Sequence, residues 1–176
     1  MENIIEISNL NKSFKDVKAV DNLSFHVKKK EFFAFLGING AGKSTTISIM
    51  CGTLRKDSGI VKINGFDVNT EKEQIKKEIG VVFQESSLDK ILTVYDNLEY
   101  KASLYGITGK DFKERLEYLS TLFSFKELLK RTYGKLSGGQ KRKIDIARAL
   151  LHKPNILILD EPTTGLDPKT RQIVWN

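Results

Sequence analysis

Gly37-Ile38-Asn39-Gly40-Ala41-Gly42-Lys43-Ser44 reads as a glycine, four residues, then Gly-Lys-Ser. Glycines let the backbone wind tightly around an anion, so that successive N–H groups turn inward. The preceding run, Glu31-Phe32-Phe33-Ala34-Phe35-Leu36, is short and almost wholly apolar. That pattern predicts a strand buried on both faces, as in a parallel sheet covered by helices. A helix is predicted from about Gly42 to Cys51, with Gly52 able to end it. The loop therefore sits between a strand and the positive end of a helix, the arrangement that favours phosphate. Lys43 then bridges the outer two phosphates and the Ser44 hydroxyl ligates Mg²⁺, so a nucleoside triphosphate with its metal is the expected ligand.

Working outward, the 176 residues amount to about one domain. An apolar content of 40% and a charged content of 29% fit a globular chain. No apolar stretch reaches the roughly 20 residues needed to span a bilayer. The start, Met1-Glu2-Asn3-Ile4, does not read as a secretory signal. Cys51 is the one cysteine, which excludes an internal disulfide and a multi-cysteine metal site; it reads as a small buried side chain. These features point to a cytoplasmic setting. The formal charge of +7 is spread over short runs, Lys28-Lys29-Lys30, Lys76-Lys77 and Lys141-Arg142-Lys143, which read first as solvated surface.

Along the chain, Ile4–Ile7 and Leu23–Val27 are predicted strands. Lys56-Asp57-Ser58-Gly59 reads as a turn, then the strand Ile60–Ile63 and a second turn at Asn64-Gly65. Ile79–Phe83 is another short buried strand. From Thr93 to Leu151 the reading is mostly helical, with a capping box at Thr93 and Asp96. Phe112, Leu116, Leu119 and Phe123 recur on one helix face as core. The plan is α/β with a helical insertion.

Ile156-Leu157-Ile158-Leu159-Asp160-Glu161 ends a predicted buried strand with two adjacent carboxylates. Ligands gather at the carboxyl ends of strands in open parallel sheets, where this pair meets the phosphate loop. Asp160 would hold Mg²⁺ through water and Glu161 would polarise the attacking water. Leu136-Ser137-Gly138-Gly139-Gln140 places Ser137 as a helix N-cap and Gln140 at the third helical position. Its two glycines leave N–H groups bare at a positive helix end, a second anion site. Asp167-Pro168 reads as a cap followed by proline at the first helical position.

Taken in order, the loop 37–45, Gln84 after its strand, the string 136–140, the acidic strand 156–161 and Gly165-Leu166-Asp167 closely resemble the nucleotide-binding domain of ATP-binding-cassette proteins. The resemblance covers essentially the whole chain. It implies a P-loop NTPase core with a mainly parallel sheet, an N-terminal antiparallel β subdomain and a helical insertion. The core with its β subdomain would be 1–84 and 152–176, and the helical subdomain 85–151. It implies ATP and Mg²⁺ as ligands, held by Gly37, Asn39, Gly40, Ala41, Gly42, Lys43, Ser44 and Thr45. Gln84 would contact the metal and water and couple the site to a transport partner. In a head-to-tail pair, Ser137, Gly138, Gly139 and Gln140 would reach the γ-phosphate of the other copy, and Asp167 would communicate across the dimer. Phe14 falls where the family stacks an aromatic on adenine; the alternative for it is a core phenylalanine.

The helical region resembles ATPases serving exporters, so the expected partners are a separate transmembrane permease and a second copy of this domain. The expected location is the inner face of the cell membrane, with no nucleic-acid partner. A soluble cassette ATPase working on nucleic acid or ribosomes, and a nucleotide-binding module without turnover, are the alternatives. The family also places a histidine on a strand roughly 30 residues after the acidic pair. His26 and His152 both precede that pair and do not replace it. The chain thus looks truncated, which would leave Phe32–Leu36 on an open sheet edge. Weak ATP binding and slow hydrolysis by 1–176 follow as expectations.

Overall fold

The computed structural model describes residues 2–35 and 40–160. Gly37, Asn39, Glu161, Gly165-Leu166-Asp167 and the helix expected from Pro168 lie outside them. The chain divides into two units, Met1–Ile79 and Gly80–Asn176.

In the first unit, β1 (Asn3–Phe14) and β2 (Val17–Lys28) form a long antiparallel hairpin. Strands β3 (Ser58–Ile63) and β4 (Phe66–Asp67) extend it in the order β2-β1-β3-β4. Ile5 faces Ile63 and Ile7 faces Val61 across β1 and β3, and all four are buried. Both hairpin strands run well past the expected Ile4–Ile7 and Leu23–Val27. Asparagine side chains in their outer halves supply further hydrogen bonds. The register shifts between Ile7 and Leu10, where Asn9 and Asn22 adopt positive φ (50° and 48°). There Asn9 Nδ2 donates to Asn22 Oδ1 at 2.9 Å. The Asn64-Gly65 turn joins β3 to β4, with Ile63 opposite Phe66. Helix α1 (Lys43–Met50) and helix α2 (Lys72–Glu78) complete the unit. Ile47, Ile49 and Ile75 bury the helices' apolar faces.

The apolar run before the phosphate loop departs from expectation. Residues 31–35 belong to no strand, and Phe32 and Phe33 are 72% and 42% exposed. A strand buried on both faces needs hydrogen-bonded neighbours on both edges, and neither sheet of the described residues includes this segment. The aromatics use a hairpin instead: the Phe33 ring stacks on Phe25 of β2 at 5.0 Å, and Phe35 lies tilted at 5.6 Å from the same ring.

In the second unit, β5 (Ile79–Val82) and β6 (Ile156–Leu159) form a two-stranded parallel sheet. Parallel neighbours require a long crossover, here supplied by helices. These are α3 (Val94–Ser103), α4 (Gly109–Leu122) and α5 (Gly138–Ala149). Gly80 has a packing reason, since a Cβ there would strike the Ala149 carbonyl oxygen at the end of α5. The predicted helix face is core as expected: Phe112, Leu116, Leu119 and Phe123 are all at most 5% exposed. The capping box of α3 is also present, with Asp96 N donating to Thr93 Oγ1 at 3.1 Å. Strand β6 is less enclosed than predicted. Only Ile156 is buried; Leu157, Ile158 and Leu159 are half-buried, because the described sheet gives it a single neighbouring strand.

Candidate functional site

Helix α1 starts where the loop chemistry demands. Gly42 is its N-cap at φ 77°, and a Cβ there would strike the Ala19 carbonyl oxygen and lie 3.2 Å from Val20 Cγ2. Only glycine fits both the left-handed backbone and the close approach of β2. The N–H groups of Lys43, Ser44 and Thr45 fall in the first turn, where a helix has no acceptor of its own for them. No acidic residue competes in that turn, and Ser44 and Ala41 are exposed. Gly40, at φ 85°, leaves open space on its Cβ side.

Phe14 ends β1 and is 47% exposed, so it is not a core phenylalanine. Lys12 Nζ lies 5.3 Å from its ring centroid. That lysine is held by Asp57 Oδ1 at 2.7 Å, and Asp57 Oδ2 accepts from Ser13 N at 2.7 Å. The Lys12 hydrogen bond, then the Ser13 amide, hold the Asp57 carboxyl below its ordinary value.

In the second unit, Ser137 caps α5 as the sequence requires. Gln140 N donates to Ser137 Oγ at 3.3 Å and Ser137 N donates to Gln140 Oε1 at 3.0 Å. Ser137 and Gly138 are exposed, and a Cβ on Gly138 would meet nothing. Gln84 is exposed just after β5. The segment that follows it is held firmly. Asn97 on α3 accepts from Asp89 N at 2.8 Å and donates to Asp89 O at 2.9 Å. Tyr133 N donates to Leu92 O and Gly134 N to Lys90 O, both at 2.9 Å, which ties this segment to the approach to Ser137. Ser86 Oγ donates to Asp145 Oδ1 of α5 at 2.5 Å, and Tyr133 OH donates to Asp145 Oδ2 at 3.0 Å. Burial, the dominant influence, raises the Asp145 carboxyl above its ordinary value.

Asp160 closes β6, and its N–H donates to Val82 O at 2.9 Å, so the ends of β5 and β6 lie side by side. Gln84 and Asp160 thus follow adjacent strand ends. Lys43 and Ser44 belong to the first unit; Gln84, Asp160 and 137–140 belong to the second.

The run Lys141-Arg142-Lys143 is not the solvated surface its composition suggests. Arg142 is 9% exposed, with Nη1 donating to Phe83 O at 2.8 Å and Nη2 to Asp160 O at 2.7 Å. Two backbone acceptors replace the water that a lone guanidinium would need. Arg148 in turn donates to Val81 O. The signal for this was present: residues 142, 145 and 148 recur every three positions on one face of α5. Sequence reasoning also missed Ser86, Tyr133 and the Lys12–Asp57 pair, whose partners are 45 to 59 residues away in the chain except for Tyr133 and Asp145.

Two glycine-flanked helix starts, one carrying Gly-Lys-Ser, and a strand ending in Asp160 occur in the chain order of a nucleotide-binding cassette. The sequence model of the family described as ABC transporter matches residues 20–164. The chain therefore belongs to the ABC transporter family, as one of its ATP-binding cassettes. It is 40% identical over 168 residues to the linearmycin resistance ATP-binding protein LnrL of Bacillus subtilis, covering 96% of this chain and 54% of that protein. It is 38% identical over 171 residues to the Nod factor export ATP-binding protein I of Burkholderia pseudomallei, covering 97% and 56%. The chain thus spans about half the length of these relatives. Among solved structures it resembles an ATP-binding subunit of an ABC transporter, with TM-score 0.88 and 29% identity over 97% of this chain and 71% of that one. It also resembles the cassette MJ0796 in a dimeric post-hydrolysis state with ADP and Pi, with TM-score 0.85 and 28% identity over 97% and 79%.

Proposed function

We propose that this chain is the ATP-binding part of an exporter, coupling ATP binding and hydrolysis in a head-to-tail dimer to transport through a separate membrane permease. The observation that carries it is the capped start of α5, where Ser137 and Gly138 are exposed to solvent at the positive end of a helix. The export direction is supported by relatives named for resistance and export.

In this reading Gly37, Asn39 and Gly40–Thr45 enclose the triphosphate, with Lys43 on the outer phosphates. Phe14 stacks on adenine. Ser137, Gly138, Gly139 and Gln140 contact the γ-phosphate bound by the partner copy. The donors available for Mg²⁺, the Ser44 hydroxyl, the Gln84 amide oxygen and the Asp160 carboxylate, are all hard oxygens and fit that ion. When bound, Mg²⁺ supplies charge neutralisation at the phosphates. Glu161 accepts a proton from the attacking water, Gln84 orients that water, and Asp167 signals across the dimer. The helical subdomain 85–151 carries the partner-facing surface.

No helix among the described residues is long and apolar enough to cross a membrane. A permease would dock on the segment after Gln84, where Ile91 and Leu92 are 84% and 40% exposed. The chain would then sit peripherally on the inner membrane face. Glu161→Gln tests the catalytic and dimer assignments together: with MgATP the variant should double its mass in light scattering while the parent protein does not. A variant that stays monomeric and still turns over ATP would remove the proposal.

A further inference from the structure

Phe83 O and Asp160 O belong to the peptide bonds that lead into Gln84 and Glu161. A peptide unit is planar, so holding Phe83 O also fixes the plane through which the chain continues into Gln84, while Asp160 O marks the end of β6. Arg142 holds both oxygens at once, at 2.8 and 2.7 Å, through two different nitrogens of one rigid fork. The guanidinium is buried and emerges from the second turn of α5, the helix that opens with Ser137 to Gln140.

We propose that Arg142 is a positioning residue for hydrolysis, setting the ends of β5 and β6, at Phe83 and Asp160, relative to each other and to the start of α5. This rests on the catalytic reading of Gln84 and Glu161 given above, and goes beyond it by assigning the registration of the two strand ends that precede them in the chain to one side chain. A bidentate guanidinium suits the task because its donors diverge at a fixed angle, whereas an ammonium presents one point charge on a flexible stem. The helix offers further anchors in line: Asp145 receives Ser86, two residues past Gln84, and Arg148 reaches Val81 O. These anchors keep α5 on β5 when Arg142 is altered, so the substitution isolates alignment from folding.

The test is Arg142→Lys in the full chain, with Arg142→Gln as a second variant that keeps a neutral planar donor. We expect kcat for ATP to fall about 10- to 100-fold, the usual effect of misplacing reacting groups by roughly an ångström. KM for ATP should stay within about threefold, and the melting temperature within about 3 °C. Unchanged kcat in both variants overturns the proposal. So does a loss of kcat matched by an equal rise in KM or a collapse in melting temperature, which would mark Arg142 as structural only. Glu161→Gln is run in parallel. If it turns over ATP like the parent, the catalytic reading itself is wrong and Arg142 has nothing to position; if it is inactive while Arg142→Lys is fully active, only the positioning role falls.

Discussion

Tyr133 OH donates to Asp145 Oδ2 at 3.0 Å inside the helical unit, joining the segment before the Ser137 cap to the middle of α5. With Ser86 Oγ on its other oxygen, the carboxylate is satisfied but poorly solvated, and burial raises its affinity for a proton above the ordinary value near 3.8. The folded chain therefore binds that proton more tightly than the unfolded chain. This contribution to stability is complete below the unfolded value and is lost as pH rises through the higher folded one. Urea unfolding of the parent protein and Asp145→Asn should show the parent's relative stability highest near pH 4 and lower at pH 7. A difference that does not change with pH would contradict the assignment.

Thr93 and Ser137 make the same capping box on different helices, so a paired substitution separates stability from function. Thr93→Ala and Ser137→Ala should each cost about 1 kcal/mol in chemical denaturation. In the Glu161→Gln background, where the ATP-bound dimer accumulates, only Ser137→Ala should also abolish ATP-dependent dimerisation. Equal dimerisation in the two variants would reduce Ser137 to a helix cap.

Gly42→Ala forces a Cβ toward the Ala19 carbonyl and demands φ 77° of a residue that resists it. A destabilisation of about 1–3 kcal/mol is expected, with loss of nucleotide binding in titration calorimetry. Gly40→Ala meets open space but still a positive φ, and should cost less.

Phe14→Ala should weaken ATP binding about tenfold, in line with roughly 1–3 kcal/mol for a base stacked on an aromatic ring. Binding of inorganic tripolyphosphate should be unaffected. A parallel loss for both ligands would show that Phe14 acts on the phosphate loop and not on the base.

Cys51 is buried at the end of α1, and burial pushes its thiol up to about 12. It should resist alkylation at pH 8 in the native protein and react promptly in urea, as mass spectrometry would show.

The local motifs were legible because each is solved within a few residues. The Ser137 and Thr93 boxes, the glycine before Lys43 and the Phe112–Phe123 face all follow from short-range geometry, and all are found. The misreadings were about neighbours. The run 31–35 has the composition of a central strand, but a strand exists only where other strands pair with it, and its aromatics lie on Phe25 instead. The expected strands Ile4–Ile7 and Leu23–Val27 stopped short of the outer halves of β1 and β2, where Asn9, Asn11 and Asn22 hydrogen-bond one another through side chains that a periodicity count ignores.

The sequence alone determined the motifs: the Gly-Lys-Ser string, the Asp-Glu pair and the Ser-Gly-Gly-Gln string are each set by covalent spacing, and spacing is one-dimensional. What only the tertiary structure decided is which charges leave water. Arg142 and Lys143 are neighbours of like charge in the chain. Arg142 is buried at 9% exposure because two strand ends, 59 and 18 residues away, bring carbonyl oxygens to its fork. Desolvation of an ion is tolerated only where such partners converge, and convergence is a property of the fold.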